Sequence, residues 1–150
     1  MKTYKGLIGS LEPHQIFVFG SNPEGRHGAG TAKIAMDHYG AKWGVGRGLQ
    51  GQTYGLVTKN LRPFFYEAEL EIEYEKAGMK SVSLRQIQDN IKDLYQFAIE
   101  NPEMEFFVAY TPYGKLLNGY TIEEMADVFS SIDIPENMVF NEDFAKLLET

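Results

Sequence analysis

The sequence predicts an α/β protein: three layers, α/β/α, built on a central, largely parallel (mixed) sheet. Three observations carry that prediction. Apolar runs of strand length alternate along the chain with longer stretches of helical periodicity, which is the pattern that βαβ connections impose. At 150 residues, 43% of them hydrophobic, the chain has the length of one ordinary domain and enough apolar side chain for a sizeable core. Two of the apolar runs, ending at Phe19 and at Tyr110, pass directly into polar segments containing glycine. Open α/β sheets receive ligands beyond the carboxyl ends of their strands, where such segments lie.

Taken in order, Tyr4 to Leu11 mixes apolar residues with glycine and reads as a short edge strand before Glu12-Pro13 turns the chain. Ile16 to Phe19 is four consecutive apolar residues, suited to a central strand buried on both faces. The polar and glycine-rich stretch that follows gives way at about Ala29 to a helix carrying Ala32, Ile34, Ala35, Met36 and Tyr39. Gly40 stands where a left-handed residue would end it. From Gly40 to Gly51 glycine is too dense for a long regular element, so a shaped loop near the site is expected, or simple flexibility. Gln52 to Thr58 is the next strand.

Carboxylates occupy every odd position from Glu67 to Glu75, a period of two that puts them on one face of a strand. A solvated, charged edge strand is the preferred reading, since charge discourages strand addition by other chains. A short helix and an inserted lid over about 62–79 are the alternatives. Ser83-Leu84-Arg85-Gln86 is a capping box, and Leu84, Ile87, Ile91, Leu94 and Ala98 follow at helical spacing until Asn101-Pro102. Phe106 to Tyr110 is another strand. Thr121-Ile122-Glu123-Glu124 is a second capping box, opening a helix through Phe129. Asn137 to Phe140 is a last strand, with Asn141 capping a terminal helix.

Composition narrows the functions. Fourteen basic residues against 21 acidic ones give a formal net charge of −7, which argues against general attraction to nucleic acid or to anionic membrane. An anionic ligand would have to be held locally. Cysteine is absent, which excludes disulfides, thiolate catalysis and cysteine-based metal sites. His14 and His38 lie apart without ligand spacing, so no metal is expected, and no cofactor. No apolar run approaches the ~20 residues a membrane span needs, and no signal-peptide pattern opens the chain, so a cytoplasmic setting is expected.

The stretch richest in chemistry is Ser21-Asn22-Pro23-Glu24-Gly25-Arg26-His27-Gly28-Ala29-Gly30-Thr31. Glycine allows a ligand close to the backbone, and the free N–H groups of a first helical turn point outward with the positive end of the dipole. The stretch is neither a Walker loop nor a G-x-G-x-x-G fingerprint, and a plain tight connection is the competing reading. The polar loop from Thr111 through Tyr113, Gly114 and Lys115 to Gly119 follows the second buried strand, and the two loops together suggest a crevice.

These features, with Phe17-Val18-Phe19-Gly20-Ser21-Asn22, Gly40-Ala41, Gly48-Leu49-Gln50-Gly51-Gln52-Thr53-Tyr54, Thr58-Lys59 and Gly119-Tyr120, run in the order found in the macro-domain-like family. The chain resembles its phage- and bacteria-associated members, relatives of the ADP-ribose-binding macro domains. The resemblance implies that Asn22 faces a ribose next to the phosphates. It also implies that Gly25 to Thr31 and Thr111 to Gly119 clasp a diphosphate from two sides, with Lys115 adding a cation. Leu116 stands where the family usually has a further glycine, and the acidic residue with which many macro domains read adenine has no counterpart near the amino end.

The expected function is therefore binding of ADP-ribose or a related nucleotide, with Trp43, Tyr54, Tyr113 or Tyr120 as a stacking surface. Hydrolysis of an ADP-ribosyl bond would further need a water oriented by Asn22 or by the diphosphate itself, with His27 as the candidate base; the preferred reading of His27 is that it bonds a loop carbonyl and holds the loop. Arg26 and Arg47 either contact phosphate or are surface arginines. The remaining class is a phage-type protein-interaction module with a vestigial cleft, whose acidic segment engages a protein partner that the sequence does not identify.

Overall fold

The computed structural model describes residues 1–111 and 116–149. In chain order its elements are β1 (Lys2–Tyr4), β2 (Gln15–Ser21), α1 (Gly30–Tyr39), β3 (Gly48–Gln50), β4 (Thr53–Val57), β5 (Phe65–Glu67), β6 (Ile72–Tyr74), α2 (Leu84–Glu100), β7 (Glu105–Val108), α3 (Ile122–Ser130), β8 (Met138–Asn141) and α4 (Glu142–Leu148). Six strands form one sheet in the order β1-β8-β7-β2-β4-β3, every neighbouring pair parallel except the antiparallel β3–β4. The three-layer α/β/α architecture follows from β2. Phe17 and Phe19 face one side, packing with Ala32 and Ala35 of α1. Ile16 and Val18 face the other, where α2, α3 and α4 cover a larger core around Ile91, Phe106 and Phe140. Successive strand residues point to opposite faces, so a strand covered on both must be apolar at every position.

Local signals set the helix ends. Gly40 ends α1 at φ 85°, a left-handed conformation in which any other residue would be strained. The Ser83 and Thr121 hydroxyls accept the N–H groups of Gln86 and Glu124, both at 3.1 Å, and those side chains accept back from the cap N–H groups. Asn141 Oδ1 accepts the N–H of Asp143 at 2.8 Å to open α4. No helix among the described residues is long and apolar enough to cross a membrane.

The structure corrects three expectations. The edge strand near the amino end is Lys2–Tyr4, earlier than expected; Gly6 takes φ 65° and turns the chain away from the sheet. Within the glycine-dense stretch, Gly48–Gln50 pairs antiparallel with β4, because a strand of three residues needs no apolar run when a neighbour supplies the hydrogen bonds. The acidic segment is not one strand at the edge of the main sheet. It folds back on itself as the hairpin β5–β6, a separate two-stranded sheet, through a turn at Ala68–Glu71 in which Glu71 has φ 54°.

The four-residue turn breaks the shared face: Glu67 pairs with Ile72, whereas Glu73 pairs with Tyr66. Glu67 points inward and takes Arg47 in a fork, at 2.5 and 3.0 Å, while Arg47 also donates to Tyr74 Oη at 2.9 Å and to Asn90 Oδ1 at 2.7 Å. Burial alone would weaken the charge on Arg47, but the hydrogen bonds and charge of Glu67 outweigh it and hold the guanidinium more firmly protonated than usual. The neck of the excursion is held by Asn60, whose Nδ2 donates to the carbonyls of Arg62 and Lys76, both at 2.7 Å. Arg62 reaches Glu24 at 2.7 Å and so ties the excursion to the glycine loop.

Candidate anion-binding cleft

β2 is where the strand order reverses: the chain leaving it crosses through α1 and the edge strand β3 to β4 on one side, while β7, on its other side, leads through α3 away to β8. The loops after β2 and β7 therefore part company and leave a crevice beyond the strands' carboxyl ends. A cavity of about 580 Å³ lies there, within the range of small-molecule sites. Its floor is the ends of β2, β4 and β7, one wall is the start of α1, and the opposite wall is α3 and α4.

On the α1 side the chain presents backbone rather than side chains. Ala29 caps the helix and supplies no side-chain hydrogen bond, and the first turn holds no acidic residue. The N–H groups of Gly28, Ala29, Gly30, Thr31 and Ala32 have no partner among the described residues, and all five residues line the cavity. The last four of these, Ala29 to Ala32, are the free donors of the helix start and carry the positive end of its dipole. At the floor, Ser21 is 3% exposed with its hydroxyl no closer than 3.4 Å to an acceptor, and Thr58 is 6% exposed with no side-chain partner among the described residues. Arg26 and Lys59 also line the cavity, and no described lining residue is Asp or Glu. In a chain of net charge −7, a cavity whose described lining holds Lys59, Arg26 with Glu24 4.0 Å behind it, uncommitted donors and no carboxylate suits an anion.

Four residues expected at the ligand do other work. His27 is fully buried outside the cavity lining, with Nε2 3.0 Å from Val45 O. A carbonyl only accepts, so Nε2 carries the proton, and the ring pins the loop in the holding role preferred for it over catalysis. Gly25 also lies off the cavity: it takes φ 70°, and a Cβ there would meet Val45 N at 2.3 Å. Gly119 packs on Met79, 2.6 Å from where its Cβ would be. Asn22 lines the cavity, but its side chain is engaged at both ends by the backbone of Arg26, accepting its N–H and donating to its carbonyl, both at 3.0 Å. Asn22 and His27 thus hold the loop's shape.

The glycine-dense stretch from Gly40 to Gly51 is the buttress for that loop. Gly44 N–H donates to Gly25 O at 2.8 Å, and a Cβ on Gly46 would sit 2.1 Å from Asn22 O. Only glycine allows two backbones so close. Of the stacking candidates, Trp43 is 61% exposed at the cavity, whereas Tyr54 and Tyr120 are core residues. Arg47 serves the hairpin and not the cleft. Ser21, Arg26, Gly28, Ala29, Gly30, Thr31 and Thr111 all line the cavity, while Tyr113, Gly114 and Lys115 lie outside the described residues. No group of three or more described His, Asp or Glu residues is placed to hold a metal ion.

No family model, no curated protein and no solved structure matches the chain. The cleft's chemistry therefore has to be read from its own residues. Thr58 and Lys59 had no assigned role in the sequence reading, although a polar pair directly after a buried strand is the same signal that marked Ser21 and Asn22. The α3–α4 wall of Ile122, Met125, Phe129 and Phe144, with Asn118 beside it, carried no separate signal, because an apolar helix stripe reads as core whether it meets a neighbour or a cavity.

Proposed function

We propose that this protein binds ADP-ribose or a related nucleotide diphosphate in the cleft beyond β2, β4 and β7. The observation that carries the reading is the uncapped start of α1: a row of unpartnered backbone donors facing a carboxylate-free cavity in an acidic protein. The diphosphate sits over these donors, Arg26 and Lys59 supply countercharge, and the Ser21 and Thr58 hydroxyls meet a sugar or phosphate oxygen. The apolar α3–α4 wall receives the base. The resemblance to the macro-domain-like family points the same way. Binding is favoured over hydrolysis because the side chains of Asn22 and His27, which would orient a water and take its proton, are committed to the loop, leaving only the diphosphate itself to orient one.

Calorimetric titration with ADP-ribose tests the reading. Micromolar binding that is lost in Gly28→Val supports it; no detectable binding of ADP-ribose, NAD or simple nucleotides refutes it and favours the interaction-module reading. Release of ADP-ribose from a modified protein would reopen the enzymatic one.

A further inference from the structure

We infer that Asn118 reads the base of the bound nucleotide and that the base presents a carbonyl oxygen to it, so that the cleft takes a keto base in preference to its amino counterpart. This rests on the nucleotide-diphosphate reading above and narrows it to the related nucleotides with a keto base, which places ADP-ribose, whose adenine carries an exocyclic amine, among the weaker ligands. Asn118 is 6% exposed and lines the cavity. Its Oδ1 accepts the backbone N–H of Tyr120 at 3.0 Å, which assigns the two ends of the amide, since a main-chain N–H can only donate. Nδ2 is then directed at Met125 Sδ, 3.6 Å away. A thioether is a weak acceptor, and an amide nitrogen has a second hydrogen that meets nothing among the described residues. Buried donors are nearly always satisfied in native proteins, so one left against sulfur at the edge of a cavity points to a partner that arrives with the ligand.

The surroundings say what that partner is. Met125, Ile122, Phe129 and Phe144 form an apolar wall suited to a flat ring. Among the described residues the other amide there, Asn141, is engaged: its Oδ1 accepts from Asp143 and Phe144, and its Nδ2 donates to Gly6 O at 2.8 Å. Among the described residues the wall thus offers a ring one uncommitted amide donor and no side-chain carboxylate, with the Tyr110 ring packed on Phe144 beside it. A carbonyl at that edge completes the bond. An exocyclic amine would set donor against donor in apolar surroundings, the mismatch that hydrogen-bonding sites discriminate against most strongly.

Matched pairs that differ in this exchange, IDP against ADP and UDP against CDP, titrated calorimetrically into the full chain beside inorganic pyrophosphate, test the inference. In each pair the keto member is expected to bind about tenfold more tightly, the discrimination of one buried hydrogen bond. Asn118→Asp, which replaces the donor by an acceptor, reverses the order within each pair, and Asn118→Leu brings the ratio close to one. The ratio is the readout because a merely structural Asn118 would lower both affinities alike. Pairs that bind equally, or with the amino member ahead, while pyrophosphate still binds, overturn the base assignment and leave the anion seat standing. Failure of pyrophosphate and all four nucleotides to bind overturns the seat, and this inference with it.

Discussion

Alanine at Gly25 and valine at Gly28 act on two glycines only three residues apart, yet the structure assigns them opposite consequences. At Gly25 the backbone has φ 70°, and an added Cβ would lie 2.3 Å from Val45 N and 2.5 Å from Gly44 C. Both are main-chain atoms, which cannot rotate away as a side chain would. The left-handed conformation costs an L-residue about 1–2 kcal/mol, and forcing a methyl group into filled space adds roughly 1–3 kcal/mol, so Gly25→Ala should lose about 2–5 kcal/mol. At ~3 °C per kcal/mol for a chain of this size, the melting temperature falls by roughly 6–15 °C. At Gly28, φ is not positive and a Cβ meets no heavy atom within 4 Å, so Gly28→Val should stay within about 0.5 kcal/mol of the parent. Its methyl groups enter the cavity beside the free N–H groups and should weaken anion binding at least about tenfold, by displacing the ligand from bonds each worth ~1 kcal/mol or more. Thermal melting followed by circular dichroism, paired with calorimetric titration, reads both effects. Gly25→Ala melting within a degree or two of the parent, or Gly28→Val melting as low as Gly25→Ala, would show that the contrast between a packed and an open glycine is wrong.

Two further outcomes follow from the buried polar groups. Arg47→Ala strands Glu67, Tyr74 and Asn90 and should cost about 3 kcal/mol, the lower end for breaking a buried pair, since Arg47 and Glu67 side chains are 21% and 11% exposed. Urea denaturation measures it, and Arg47→Lys should recover only part because an ammonium lacks the planar fork; full recovery would mean that charge alone matters. On the alkaline side, burial, with a smaller contribution from Asp93, pushes the Tyr54 phenol from 10.0 up to about 12, and burial likewise raises Tyr4, Tyr74, Tyr95 and Tyr120. These groups ionise more readily unfolded than folded, so their contribution to stability is complete below pH 10 and is lost as the pH climbs through 12. Phenolate absorbance and circular dichroism should then change together in that window, and smooth ionisation of all nine tyrosines at ordinary pH values with the fold intact would contradict the burial assigned to these five.

Much of the fold was legible because its signals act over short range. A capping box closes between residues three apart, as at Ser83–Gln86 and Thr121–Glu124. A left-handed glycine ends a helix from within it, as Gly40 does. Four consecutive apolar residues in β2 can be buried only if both faces of the sheet are covered. The crevice after β2 and β7 was legible for a related reason: strands that run parallel put their following loops on one side, whatever the loops contain.

What stayed hidden were the partners that meet across the chain. Nothing near Arg47 announces Glu67 or Asn90, 20 and 43 residues away, and a basic residue in a glycine-rich stretch suits a phosphate equally well. His27 and Gly25 carry the residue types of a binding loop, yet Val45 and Gly44 occupy the space a ligand would need. Residue type and spacing thus determined the layers, the helix ends and the place where the sheet opens, because these depend on torsions and periodicity. Which side chains in the opening remain uncommitted, among them Thr58, Lys59 and Asn118, was decided only by tertiary structure, because a donor or acceptor is free or engaged according to what distant segments bring within about 3 Å of it.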